Sequence, residues 1–585
     1  MNVGRLVAAS RATLVVDLSA LVGAASFFAA GGASFHSAWN LVGALLSGAA
    51  AWQPAFVVLV DRSLDKNGPK GAALNRLGYL AAFWIALGAG LTFLGNFFAS
   101  VSYGSDDASL AGPYALVIAG TVGALVAGAF HAAWVAKAEK GVFRPAKSSR
   151  EVSVKSGTGT GTGKEAGKGA GARSKLRLLA RIYCYSVLVV GIYFSFVTLA
   201  GRHDPVSGMF GIFVAQVDLF LVLTYLGAGA LLLKLNAARF DRRGVTVVVA
   251  MTLVVAGVSA LPVALVPGSV SRTEDQFSGA FGEDWKERVA PLERAGFFMP
   301  SPTHLASYFL GVRPPKVVVL RDVLFHEGSG EEQSLRLYFD AYLPPDGGAG
   351  LPGRNSTLVR IHGGGWVFGD KGAGNMMQVN KYFAAQGYCV FDVQYGLDDR
   401  GIPGDRLTPS HVLGDFDVDD MVRHLGLFFK YLSANAGRFG ANLSSTFVSG
   451  GSAGGHLACA AALAIANGSY VDLFGDQVTV RGVVPFYPAN GLAGWLGLEG
   501  DPYLVDPALL VDANSPPALV YQGTQDGLVD PAVSGALKKA YDDAGNPACV
   551  VYWAPLSGHA GDIYFSGYYN LGFLYLMERF LYLHR

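Results

Sequence analysis

The residues with the clearest chemical potential are Gly450-Gly451-Ser452-Ala453-Gly454, a G-x-S-x-G sequence that follows Phe447-Val448-Ser449 and precedes an apolar helical stretch. Glycines on both sides of a serine at a strand-to-helix junction permit a tight turn that holds the hydroxyl exposed. The helix that follows aims its first N–H groups at developing negative charge. A serine hydroxyl is a weak nucleophile, so it needs a base to take its proton and a carboxylate to orient that base. Both appear downstream: the strand-like run 518–522 leads into Gly523-Thr524-Gln525-Asp526-Gly527, and the run 549–553 leads into Leu556-Ser557-Gly558-His559. Each side chain falls on a loop after a strand, at the sheet edge expected for Ser452, so Asp526 is expected as the acid and His559 as the base. Asp530 competes for the acid role, but its place before Pro531 suits a helix cap. His456 follows Ser452 on the same helix and should face away from the turn, His411 precedes the serine, and Asp562 is very near His559 in sequence.

A nucleophilic serine also requires donors for the oxyanion it creates. The run 357–361 ends in His362-Gly363-Gly364-Gly365-Trp366, where three glycines let the backbone approach a substrate closely. Their N–H groups, with that of Ala453, can form an oxyanion hole, each donor contributing about 3 kcal/mol in the transition state. Gly369-Asp370-Lys371 is expected to brace this loop through local hydrogen bonds or an ion pair.

The elements needed to position these groups are short β-branched runs separated by amphipathic segments, the alternation of an α/β protein. The runs 317–324 and 334–342 read as an opening antiparallel pair, followed by 357–361, 388–394, 446–449, 480–485, 518–522 and 549–553. The expectation is a mostly parallel sheet of about eight strands with helices on both faces, over 316–585.

The rest of the chain differs in composition. Of 585 residues, 51% are hydrophobic and 15% charged, well below the charge content of soluble domains. Seven apolar stretches near membrane-spanning length lie at 12–30, 40–60, 77–100, 113–136, 183–201, 212–234 and 245–267. The expected organisation is four spans in 1–136, a basic flexible cytoplasmic linker over 137–181, three spans in 182–270, a connector or cap over 271–315, and the α/β domain. The first stretch is read as a retained anchor, since six more follow it. Odd connections hold almost no basic residues, whereas even ones carry Arg62, Lys66, Lys70 and Arg76, the run from Lys137 to Arg181, and Arg239, Arg242 and Arg243. Basic residues resist translocation, so the N-terminus is expected in the cytoplasm and the α/β domain on the opposite, extracytoplasmic or lumenal side. Sequons at Asn355, Asn442 and Asn467 agree with that side. Gly163-Lys164 lacks the spacing and preceding strand of a phosphate loop. Asp17, His131 and Asp218 lie inside predicted spans, where pairing between helices or an ion path would explain them.

A net charge of +1 gives no field for nucleic acid. Cys184, Cys389, Cys459 and Cys549 have neither metal-site spacing nor a pairing pattern and read as small buried hydrophobes.

HGGGW at 362–366 with GDK at 369–371, GGSAGGHLA at 450–458, GTQDGLVD at 523–530 and SGH at 557–559 resemble, in series, the hormone-sensitive-lipase-like esterases of the α/β-hydrolase superfamily. That resemblance covers about 315–585. It implies Ser452 as nucleophile, Asp526 and His559 as its partners, and 362–365 with Ala453 as oxyanion hole, with Trp366 supporting the motif, no metal and no cofactor. Gly451 departs from the pattern, since many members carry an acidic residue or histidine there. The connection 488–517 is also short, which leaves the acyl pocket open or covered by 272–315, by the membrane or by both. The function this implies is carboxylic ester hydrolysis on a lipophilic or membrane-associated ester, among membrane lipids; no sequence feature names a protein partner. Two alternatives remain: an acyltransferase using the same triad, and a transporter or receptor whose hydrolase-like domain binds ligand.

Overall fold

The computed structural model describes residues 3–30, 39–66, 68–101, 111–138, 140–143, 167–237, 239–313, 315–348, 350–374, 376–401, 405 and 408–585. The first half is helical: α1 (Val3–Ala29), α2 (Trp39–Ser63), α3 (Pro69–Val101), α4 (Ala111–Lys137), α5 (Gly167–Ala200), α6 (Pro205–Val214), α7 (Asp218–Leu235) and α8 (Arg242–Phe281). α6 and α7, joined by one 3₁₀ turn, act as one span, so seven helices among the described residues are long and apolar enough to cross a membrane. Part of the expected linker, including Gly163-Lys164, lies outside the described residues. α5 starts at Gly167, inside the stretch expected as linker, because Lys175-Leu176-Arg177-Leu178-Leu179-Ala180-Arg181 is made of strong helix formers.

Several polar groups in these helices pair with one another. Gln53 Nε2 donates to Asp17 Oδ1 at 2.9 Å, joining α1 to α2. Asp61 and Lys234 form a buried ion pair between α2 and α7, extended by Lys66 on Asp61 at 2.9 Å and by Lys234 donating to Asn75 at 2.7 Å. His131 lies edge-on to Phe56, and Asp218 is fully buried at the start of α7.

α8 does not stop near 267 as the apolar pattern suggested. It runs 40 residues, about 60 Å, because residues 268–281 lower the hydropathy without breaking the helix until Gly282. This extension covers β10, the last strand of the sheet described next.

After α9 (Trp285–Arg294) and α10 (Leu305–Leu310) the chain alternates: β1 (Val318–Glu327), β2 (Arg336–Leu343), β3 (Ser356–Ile361), α11 (Met376–Ala385), β4 (Cys389–Val393), β5 (Leu397–Asp398), β6 (Leu413–Gly414), α12 (Val418–Phe439), β7 (Asn442–Gly451), α13 (Ala453–Asn467), α14 (Val471–Phe474), β8 (Val480–Phe486), α15 (Pro502–Val505), β9 (Ala518–Gly523), α16 (Pro531–Asp543), β10 (Cys549–Ala554) and α17 (Tyr568–His584). Eight strands form one sheet in the order β1-β2-β4-β3-β7-β8-β9-β10, and β5 pairs with β6 separately. β1–β2 and β2–β4 are antiparallel and the other pairs parallel, so the opening antiparallel pair and the mostly parallel sheet are as expected.

Alternation of side chains along each strand builds two cores. Val359, Ile361, Val448 and Val520 face α12, α13 and α16, whereas Leu358, Phe447, Leu519 and Tyr552 face α11 and α17. The second core continues into the long helices through Phe27, Leu46, Phe220, Val266 and Val270, so the helical half and the sheet share one apolar interior. At the sheet edge, Gln276 of α8 donates to the Val551 carbonyl at 3.2 Å and accepts from its N–H at 3.1 Å, and the Ser269 hydroxyl donates to the Trp553 carbonyl. An uncovered edge strand is a template for aggregation; here a span helix blocks it.

α17 is held by a buried charge network. Glu578 accepts from Arg579 at 2.7 Å, Met299 N–H at 2.8 Å, Tyr382 Oη at 2.5 Å and Gln386 at 3.0 Å, and Arg579 also reaches Glu293 and the Met299 carbonyl. Burial pushes the Glu578 carboxyl up to about 7, against the pull of Arg579. Arg579→Ala is expected to destabilise the protein by about 3–5 kcal/mol, because it strands a buried carboxylate. A carboxyl whose folded pKa lies above its unfolded value stabilises the fold below the unfolded value and loses that contribution as pH rises through the folded one. Glu578→Gln is therefore expected to remove a fall in thermal midpoint between pH 4.5 and about 7, read by melting curves of the detergent-solubilised chain.

Candidate active site

β7 lies mid-sheet between β3 and β8 and delivers Ser452 at its C-terminal end. Ser452 has φ 57° and ψ −121°, a conformation a non-glycine residue adopts only when its surroundings enforce it. Three close approaches do so. A Cβ on Gly450 would sit 2.3 Å from the Gly454 carbonyl oxygen, one on Gly454 would sit 2.3 Å from the carbonyl oxygens of both Ile361 and His362, and one on Gly455 would sit 2.8 Å from that of Phe486. The turn is further pinned by the Ser452 N–H donating to the Phe486 carbonyl at 2.9 Å. Ser452 precedes α13, so the N–H of Ala453, the first helical residue, has no acceptor within the helix.

Asp526 and His559 lie on the loops after β9 and β10, as the sequence predicts. His559 Nδ1 is 2.8 Å from Asp526 Oδ2, and both side chains are buried. The other carboxylate oxygen of Asp526 accepts from the N–H groups of Leu528 and Val529, each at 2.9 Å, and Gln522 donates to Oδ2 at 3.2 Å. Four hydrogen bonds thus fix the carboxylate's orientation toward the imidazole.

Ser452, His559 and Gly363, Gly364 and Gly365 line one cavity of about 740 Å³. Gly363 packs on the serine turn, where a Cβ would lie 2.7 Å from the Gly451 carbonyl oxygen, and Gly364 has φ 126°. His362 is buried and turns its Nδ1 to the Gly363 carbonyl at 2.9 Å. Trp366 donates to His456 Nδ1 at 3.1 Å, while His456 Nε2 reaches the Leu504 carbonyl at 2.8 Å; burial lowers this imidazole to about 4. His456 is therefore a neutral strut behind the glycine loop. His411 packs edge-on to Tyr338 outside the cavity, and Asp530 caps α16 through the Ala532 N–H at 2.8 Å. Lys371 bridges Asp322 at 2.6 Å and Asp340 at 3.0 Å, and Gln394 and the Lys371 N–H bind Asp370.

Three lining residues had no role in the sequence reading. Tyr487, with φ 37°, places its ring 4.4 Å from that of His559 and donates its hydroxyl to Asp562 at 2.6 Å. Burial raises the Asp562 carboxyl, which the Tyr487 hydroxyl and Arg360 pull back down. A Cβ on Gly451 would meet the Tyr487 hydroxyl oxygen at 3.1 Å, so this tyrosine fills the space beside Gly451. Arg360, also buried, donates to Ser449 at 2.7 Å. Among the described residues, five of the nine non-glycine residues with positive φ (Trp366, Ser452, Tyr487, Leu556 and Ala560) belong to the loops around this cavity.

The helical half closes one side. A Cβ on Gly527 would lie 2.7 Å from the Cα of Gly208, and one on Gly558 would lie 2.3 Å from the Gly211 carbonyl oxygen. α6 thus touches the loops of both Asp526 and His559, and Gln216 beyond it accepts from the Tyr564 N–H at 2.9 Å.

Residues 339–500 match the BD-FAE family of α/β-hydrolase esterases. The C-terminal half therefore carries a carboxylic ester hydrolase domain. The match is described by that family and not by the hormone-sensitive-lipase-like group; it spans the glycine loop and Ser452 and ends before Asp526. Solved structures similar to this chain include esterase 2 of Thermogutta terrifontis, at 22% identity over 43% of this chain and 87% of that one with a TM-score of 0.32. Esterase B of Lactobacillus rhamnosis is 21% identical over 43% and 82%, TM-score 0.33. A truncated carbohydrate esterase from gut microbiota is 17% identical over 46% and 99%, TM-score 0.34. No curated protein matches the chain.

Gly454→Ala is expected to lower kcat/KM for an ester at least about a hundredfold, since two backbone carbonyls must move. Tyr487→Phe is expected to lower it about tenfold, equivalent to about 1.4 kcal/mol, with the thermal midpoint checked alongside.

Proposed function

We propose that the protein is a membrane-anchored serine carboxylester hydrolase that works through Ser452, His559 and Asp526 and an acyl-enzyme, with its catalytic domain on the non-cytoplasmic side. The observation that carries this reading is the 2.8 Å hydrogen bond between buried Asp526 and His559, whose ring lines the same cavity as a serine at φ 57°. Because Nδ1 is bound to Asp526, Nε2 is the nitrogen left to take the Ser452 proton. Ser452 Oγ attacks the ester carbonyl carbon, and the proton passes to Nε2. The tetrahedral oxyanion is met by the N–H groups of Ala453 and of Gly363, Gly364 and Gly365. Collapse breaks the bond to the alcohol oxygen, which leaves with the proton from His559. Water then adds to the acyl-enzyme by the same route, releasing the acid and restoring Ser452.

The distribution of charge supports this side of the membrane. Leu64 pairs with Phe143, and Asp61 with Lys234, at the helix ends next to the basic connections. At the other ends Asn96 donates to the Phe309 carbonyl at 2.8 Å and Ser100 accepts from the Phe565 N–H at 3.2 Å, beside the catalytic half. Basic connections retained in the cytoplasm therefore put the catalytic domain outside it.

Detergent-solubilised protein is expected to hydrolyse a p-nitrophenyl ester and to bond a fluorophosphonate, and Ser452→Ala to lose about a millionfold in rate; unlabelled, inactive wild type would refute the proposal. The four native cysteines are buried, so an impermeant maleimide applied to intact cells is expected to label Asp346→Cys and leave Arg62→Cys unlabelled. The opposite pattern would reverse the orientation.

A further inference from the structure

The catalytic cavity is not built from the hydrolase half alone. Met209, Ile212 and Phe213 of α6 line it together with Ser452 and His559, and α6 is the first segment of the sixth candidate span, Pro205–Leu235. Met209 and Phe213 are 54% and 46% exposed, and so are their neighbours Val206 and Phe210, at 61% and 46%. One short helix thus offers apolar side chains both to the cavity and to the surface that a span presents to lipid. The same cavity is also lined by Phe368, Trp495, Leu496 and Leu528, all exposed, with Trp495 at 78%. Exposed aromatic and aliphatic side chains beside a span suit a membrane interface.

We infer that α6 is the hydrocarbon-chain wall of the active site, and that the substrate is a lipid ester whose chain reaches Ser452 sideways from the bilayer, along Met209, Ile212 and Phe213. The inference rests on the esterase reading and names its substrate class. Docking of Gly208 and Gly211 against the Asp526 and His559 loops holds this wall against the triad, so a carbonyl at Ser452 leaves its chain lying on α6. Arg360, Tyr487 and Asp562 give the same cavity buried polar lining that an alkyl chain avoids. The chain is therefore directed toward the helix.

The test uses the full chain in lipid nanodiscs and a fluorophosphonate with a long alkyl tail ending in a diazirine. After the probe bonds Ser452, illumination is expected to crosslink the tail to a peptide containing residues 205–214. Crosslinks confined to residues of the hydrolase half would overturn the inference and leave the esterase reading standing, whereas absence of any probe on wild type would overturn both. In parallel, Phe213→Ser is expected to lower the ratio of kcat/KM for a p-nitrophenyl palmitate to that for a p-nitrophenyl acetate about tenfold. Leu253→Ser, exposed on α8, is expected to leave that ratio unchanged. An unchanged ratio in Phe213→Ser, with acetate still hydrolysed, would count against the wall.

Discussion

The contact on which the rest of the structure depends is the approach of α6 to the loops that carry Asp526 and His559. Backbone meets backbone there, glycine against glycine, with no room for a Cβ on Gly527 or Gly558. Loops that hold groups proposed to act in catalysis need rigid support, because a displacement of about 1 Å can cost a hundredfold in rate. In this chain the support is a membrane-type helix. The shared core and the coverage of β10 by α8 extend the same arrangement, so the helical half completes the sheet as well as accompanying it.

The second constraint is local. Ser452 is held at positive φ by a parallel strand, by a helix start and by glycines that admit neighbouring carbonyl oxygens. Such strain persists only where packing over-determines it, and here the glycine loop from β3 and the end of β8 supply that packing. The same loop is backed by Trp366 on His456, a hydrogen bond between two buried side chains 90 residues apart. The serine and its expected oxyanion donors are thus one packed unit.

Much of this was legible in the sequence because it is encoded locally. Gly450 and Gly454 announce a turn that only glycine permits, the β-branched runs announce strands, and the loops after those strands carry Asp526 and His559, 2.8 Å apart in the structure. Asp530 was recognisable as a cap from Pro531 beside it. What stayed hidden depends on distance along the chain. Gly208 lies in an apolar stretch with nothing to mark it as a partner of Gly527, and the Pro488 and Asn490-Gly491 after Tyr487 mark a turn without showing that its ring meets His559. Asp562 was set aside for its nearness to His559, yet the structure uses that nearness to bring it under Tyr487. The end of α8 was misplaced because hydropathy reports where lipid contact ends, and a helix can continue beyond that point along a protein surface.

Whether Ser452 carries the acyl group is decided by mixing the detergent-solubilised protein briefly with a p-nitrophenyl ester, quenching in acid and weighing the peptides. An acyl adduct is expected on the peptide containing Ser452, at the serine itself. Ester consumed with Ser452 unmodified, or an adduct on a different side chain, would contradict it.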